Sequence, residues 1–170
     1  MAHRPRRRTT AFVLVAGLVA LTAGCSTPTT ATGTLDAGRQ RVAALVLDAA
    51  HALPATVSFT PPQAVGTLAC RKKFAGFVIG RTGAHRAEVP LLVKVDPGTG
   101  RHLLDVIGAS WRAAGYTLDR SRIDEGDFPQ LSANTPDGYH VVATALTRPP
   151  AAGQRAQLNL YAVSPCLRGS

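Results

Sequence analysis

From Tyr116 to the C-terminus the chain carries four successive stretches of strand-like pattern with no helical pattern between them, and this order is the strongest constraint on its fold. The stretches are Tyr116–Arg122, Gln130–Asn134, Tyr139–Thr147 and the run from Ala156 to Ala162. In the last, Ala156, Leu158, Leu160 and Ala162 oppose Gln157, Asn159 and Tyr161, the period of a strand with one face on a core. Parallel neighbours need a crossover of about a dozen residues or more, usually a helix, whereas antiparallel neighbours need only a turn. The order therefore predicts an antiparallel meander and argues against βαβ units. Thr135-Pro136-Asp137-Gly138 fits the hairpin turn of that meander, with proline second and glycine fourth as a type I turn favours.

Upstream, two segments change to helical periodicity. Leu35, Val42, Leu45, Val46, Ala49 and Leu53 fall on one side of a helical wheel, with Asp36, Gln40, Arg41, Asp48 and His51 opposite. Thr34 is the expected N-cap and Pro54 the stop, predicting a helix over about 35–53. A second helix is expected between Thr99 and Ala114, with Leu103, Leu104, Ile107 and Trp111 on one face and Gly115 as the left-handed residue past its end. On that spacing the single tryptophan belongs to the core rather than to a ligand platform. Val89, Leu91, Val93 and Val95 alternate as a strand, and Phe74–Ile79 and Thr56–Thr60 read as further strands. The fold class expected is α+β, a two-layer sandwich of an antiparallel sheet with both helices on one face.

The first residues have a different character. Met1–Arg8 is basic, Ala11–Ala23 is apolar, and Leu21-Thr22-Ala23-Gly24-Cys25 ends the run on small residues. Thirteen residues of helix would span roughly 20 Å against a hydrocarbon core of about 30 Å, short for a membrane crossing and right for a secretory signal. Leu21-Thr22-Ala23-Gly24-Cys25 resembles the lipobox of bacterial lipoproteins, with Thr22 where leucine is commonest and Leu21 one place early. That resemblance implies cleavage before Cys25 and attachment of a diacylglyceryl group to its thiol, giving two acyl chains where one binds only marginally. The Arg7-Arg8 pair, followed by Thr9-Thr10-Ala11, is a weak match to a twin-arginine signal. Residues 1–24 are thus expected to be a signal peptide, 25–34 the lipidated cysteine and a Ser/Thr/Pro/Gly tether, and 35–170 a single extracytoplasmic domain. The expected location is the outer side of the cell membrane, held by the lipid.

This division changes the meaning of the charge. The 170 residues carry a formal +9, but four of the 19 Lys and Arg lie in the first ten positions and all ten acids lie beyond residue 30. Residues 25–170 carry fifteen basic and ten acidic side chains, a mildly basic domain. With Cys25 assigned to lipid, Cys70 and Cys166 remain, and an isolated pair in an exported protein is expected to form a disulfide.

Few residue patterns in the chain point to chemistry. There is no G-x-S-x-G nucleophile turn, and Gly76-Phe77-Val78-Ile79-Gly80-Arg81-Thr82 lacks both the spacing and the lysine of a phosphate loop. His3, His51, His85, His102 and His140 form no metal-binding spacing, and neither a metal nor a cofactor is expected. The densest polar group is Asp119–Asp127, where Asp124, Glu125 and Asp127 place three acids within four positions. Paired carboxylates serve glycoside cleavage, so a small wall-active hydrolase is the alternative function, set against the commoner reading of a solvated loop rich in turn formers. Arg71-Lys72-Lys73 reads either as an exposed basic loop or as a contact for anionic headgroups. Few aromatics and no basic stripe argue against nucleic acid.

The order of helix, Cys70, strands, helix ending in Trp111-Arg112-Ala113-Ala114-Gly115-Tyr116, then Asp137-Gly138-Tyr139 and Ser164-Pro165-Cys166 resembles small actinobacterial lipoproteins of no assigned activity. The resemblance implies a location and a compact α+β fold, and it brings no catalytic residue. The expectation is a binding or accessory module of the envelope, with the membrane as one partner and an envelope protein or wall component as another.

Overall fold

The structure is a computed structural model and describes residues 31–74, 77–146 and 156–168. The signal-like segment, Cys25 and most of the tether lie outside the described residues. In chain order the elements are β1 (Ala31–Thr34), α1 (Leu35–His51), β2 (Ser58–Phe59), β3 (Gly66–Phe74), β4 (Phe77–Val95) and α2 (Gly100–Ala113). They are followed by β5 (Thr117–Asp119), β6 (Gln130–Asn134), β7 (His140–Leu146), β8 (Ala156–Val163) and β9 (Leu167–Arg168). The architecture is the expected α+β sandwich, with both helices packed on one face of a sheet.

The helix ends follow their local chemistry. Thr34 Oγ1 accepts a hydrogen bond from the Ala37 backbone N–H at 3.2 Å, satisfying one of the donors that the first turn of α1 leaves without a helical partner. Past the end of α2, Gly115 adopts φ +80° and its N–H donates to the carbonyl of Arg112, while Tyr116 N–H donates to that of Trp111. A side chain at Gly115 would be strained in that left-handed conformation. Tyr116 then stacks on Trp111 with ring centroids 6.4 Å apart.

β4 organises the sheet. Along one edge it pairs antiparallel with β3, from Gly66↔Glu88 to Phe74↔Phe77, and with β2 at Val93 and Lys94. Along the other it pairs with β8 over Glu88–Val95 and with β9 at Ala84 and His85. Beyond β8 come β7, β6 and β5, each antiparallel to the last, which is the expected meander. The turn at 135–138 closes as expected, with Gly138 N–H donating to the Thr135 carbonyl at 3.0 Å.

The core fills the space between the layers. Ala87, Val89, Leu91, Val93 and Val95 of β4 meet Leu158 and Leu160 of β8, Val141 and Ala143 of β7, and the faces of α1 (Val42, Leu45, Val46) and α2 (Leu104, Ile107, Trp111). Alanines on β7 and β8 (Ala143, Ala145, Ala156, Ala162) are fully buried. With so little side chain on the sheet there, the long residues of the helices reach down to fill the layer. Each large side chain removed from water in this way contributes about 1.5–3 kcal/mol.

Four expectations need correction. Phe74–Ile79 is not one strand: β3 ends at Phe74, β4 begins at Phe77, and the two residues are paired across the chain reversal. The strand Gly66–Phe74 is absent from the periodicity because its described residues are mostly exposed and no buried face imposes alternation. Cys70 consequently lies inside β3 rather than before the sheet. The sheet is also mixed: β1, drawn from residues read as tether, runs parallel to β9.

Cys70 and Cys166 form a disulfide, with Cα atoms 6.1 Å apart across a sequence separation of 96. Ser164, next to this bridge and buried, accepts from the Ala87 N–H and donates to the Pro165 carbonyl, both at 2.8 Å, fixing the bend between β8 and β9. Leu167 then packs beneath α1 at Gly38, where a methyl group would fall inside the radius of Leu167 Cδ1. Gly38→Ala is therefore expected to destabilise the protein by about 1–3 kcal/mol, since overpacking against a buried leucine outweighs the gain in helix propensity of about 1 kcal/mol. Urea unfolding followed through Trp111 measures it. Reduction of the 70–166 bridge is expected to lower stability by about 3 kcal/mol, with ~4.7 kcal/mol as the chain-entropy ceiling for a loop of this length, read as a fall in melting temperature with and without reductant.

Candidate functional site

The acids of the 119–127 loop are gathered by arginines rather than arranged around a cavity. Asp124 Oδ1 accepts from Arg101 at 2.8 Å and Glu125 Oε2 from Arg122 at 2.7 Å, while Arg120 reaches Asp105 of α2 at 2.8 Å. Asp127 is exposed on the same loop. Arg122 also offers its backbone carbonyl to Gln130 N–H, so these contacts tie the loop between α2 and the start of β6. Asp119 sits below its ordinary value because Ser121 N–H donates to its carboxylate. This geometry explains why so many turn-forming and charged residues occur together: they hold a strand-to-strand connection.

No group of three or more His, Cys, Asp or Glu positioned to share a metal ion occurs among the described residues. His140 Nδ1 lies 3.0 Å from Asn134 Oδ1 at the rim of the sheet. His51 packs against Phe59 at the end of α1.

A more interesting polar group joins α1 to the 135–138 turn. Arg41 donates to Asp137 at 2.9 Å, with Tyr116 and Tyr139 close enough to feel both charges. Burial opposes the Asp137 carboxylate, but hydrogen bonds from Thr135 and Arg41 outweigh it and hold Asp137 below the usual 3.8. The Asp137 hydrogen bond raises Arg41 in turn.

The face of the sheet opposite the helices is partly exposed among the described residues. There Leu92, Thr144, Leu146, Gln157, Asn159 and the loop residue Phe128 line a shallow cavity of about 260 Å³. Phe128 is 61% exposed and Leu92 51%. Farther along the same face Tyr161 donates to Glu88, and burial together with that bond pushes the phenol up to about 12.

The second open feature lies at the far end of β4. Every described side chain between Arg71 and Gly83 is exposed, including Phe77 at 75% and Val78 at 51%. At the base of this hairpin a hollow of about 660 Å³ is lined by Leu68, Arg71, Val78, Arg81, Arg86 and the cystine. The sequence exposes Arg71-Lys72-Lys73 as a run, but only the strand register brings Arg81 directly opposite Arg71. Comparison with protein-family models, curated protein sequences and solved structures returned no match.

The Arg41–Asp137 pair has a definite pH signature. A carboxylate whose folded value lies below its unfolded one contributes stability that is complete above the unfolded value and is lost as pH falls through the folded one. Because both side chains are more than a third exposed, Asp137→Asn is expected to cost only about 0.5 kcal/mol at neutral pH. The difference from wild type should close as pH drops below about 4, as measured by urea titrations across pH.

Proposed function

We propose that this protein is a membrane-anchored extracytoplasmic lipoprotein whose globular domain is a binding or accessory module of the cell envelope. The observation that carries the reading is Leu21-Thr22-Ala23-Gly24-Cys25 at the end of a short apolar run, the pattern of a signal cut before a lipidated cysteine. The Cys70–Cys166 bridge supports it, since disulfides persist outside the reducing cytosol. The kind of surface the domain offers favours a module. The hollow on the sheet face and the basic hollow are not lined by Asp124, Glu125 or Asp127, the acids a wall hydrolase would employ. Exposed apolar groups on such a face are a means of association rather than of bond cleavage.

The test is the replacement Cys25→Ser in cells that export the chain. The expected outcome is loss of metabolic labelling by a palmitate analogue and accumulation of uncleaved precursor. Membrane retention after a salt wash with normal processing would overturn the lipid-anchor reading.

A further inference from the structure

The hairpin formed by β3 and the first part of β4 differs from the rest of the domain in three independent ways. The first is mechanical. Among the described residues, the two strands pair only with each other between Arg71 and Gly83, because β9 joins β4 no earlier than Ala84 and the core begins near there. The seven residues from Phe77 to Gly83 extend the sheet by about 23 Å at ~3.3 Å per residue. A two-stranded ribbon with no core is marginal on its own, so an arm of this kind gains order from what it touches.

The second is charge. From Ala49 to Ala87 there are five basic side chains, Arg71, Lys72, Lys73, Arg81 and Arg86, and not one acid. Residues 25–170 as a whole carry five more basic than acidic groups. The entire net charge of the domain therefore resides in this segment, and the remainder is balanced. Arg71 and Arg81 face each other directly across the ladder, a pairing that costs stability unless an anion lies between or upon them. None of the five ion pairs found among the described residues uses Arg71, Arg81 or Arg86.

The third is the apolar tip. Phe77 and Val78 stand in solvent at the end of the arm, ahead of the arginines. Aromatic and aliphatic side chains ahead of a cationic band match the layering of a bilayer surface, with phosphates outside and acyl chains beneath. Guanidinium groups suit the phosphates, since their planar fork donates two parallel hydrogen bonds.

We infer that the β3–β4 arm is a membrane-docking device: Phe77 and Val78 enter the interfacial region while Arg71, Arg81 and Arg86 bind the phosphates of anionic phospholipids. This deepens the envelope-module reading and rests on it for placing the domain beside a bilayer. With the chain tethered there, docking is an intramolecular step, and even a weak surface affinity orients the domain. The helical layer and the 260 Å³ hollow on the other sheet face are then held in a fixed attitude to the membrane.

The experiment uses the full chain carrying Cys25→Ser, so that lipidation contributes nothing and a failure of the anchor reading leaves this result unaffected. Phe77→Trp is added as a reporter; Trp111 is buried and supplies a constant background. With vesicles of phosphatidylcholine and phosphatidylglycerol in equal parts, the emission of the tip tryptophan is expected to shift to the blue and to be quenched by brominated acyl chains. Arg71→Ser and Arg81→Ser are each expected to weaken vesicle binding about fivefold, while the near-ultraviolet dichroism of Trp111 is unchanged. The signal segment is common to all variants and cancels in the ratios. The proposal is overturned by a tip tryptophan that keeps its solvent-exposed spectrum on bound vesicles, or by arginine variants with unaltered affinity for them. It is equally overturned if those variants lose binding to a soluble anionic wall polymer while vesicle binding persists, which would make the arm a polymer site.

Discussion

A single strand of 19 residues, β4, is hydrogen-bonded to neighbours on both edges, and the two halves of that strand live under different physical rules. From Ala87 to Val95 every second residue is buried beneath the helices, so hydrophobic burial fixes register and face. A slip of one residue would turn Val89, Leu91 and Val93 into water. From Phe77 to Gly83 every described side chain is exposed, and among the described residues the ladder to β3 sets the conformation. The helices and the meander are arranged around the buried Ala87–Val95 part; the Phe77–Gly83 part projects from it.

That division accounts for what was legible in the sequence. Alternation reports a strand only where one face is buried, which is why Gln130–Asn134 matches β6 and the Ala156–Ala162 run lies within β8. The helix limits were equally readable, because Thr34, Pro54 and Gly115 act through local chemistry that needs no tertiary context. The arm was not readable for the converse reason. Its apolar run around Phe77 looks like a buried strand by composition, and only the pairing Phe74↔Phe77 shows the chain reversing there. β2 lies within the Thr56–Thr60 stretch read as a strand, whereas the two residues of β9 are set by their neighbours and carry no period of their own.

The candidate sites divide in the same way. Asp124 and Glu125 stand out in the sequence because acids are dense there, yet density alone does not distinguish a reaction centre from a loop cross-linked by Arg101 and Arg122. The cystine was predictable once export was expected, since the argument needs the number of cysteines and not their positions in space. The opposition of Arg71 and Arg81 was invisible until the ladder was known, because they lie ten positions apart in the chain and the irregularity between Ala69 and Arg71 shifts the pairing. Chemistry that depends on register is the part a single sequence conceals.

The root of the arm is also where the rest of the chain converges. Cys70 enters the bridge from β3, Cys166 from the bend after β8, and Leu167 continues from it into β9 beneath Gly38. β1 lies against β9, which lies against β4 at Ala84 and His85, so the N-terminal segment enters the fold roughly 10 Å, or two strand spacings, from the arm. Ala31 is six positions on from Cys25, a reach of at most about 20 Å. On the proposed anchoring, the lipid and the basic hairpin act on the same end of one sheet. The covalent bridge between Cys70 and Cys166 then has a role beyond chain entropy: it couples β3, which has no core of its own at the arm, to the buried strands that any force on the arm must move.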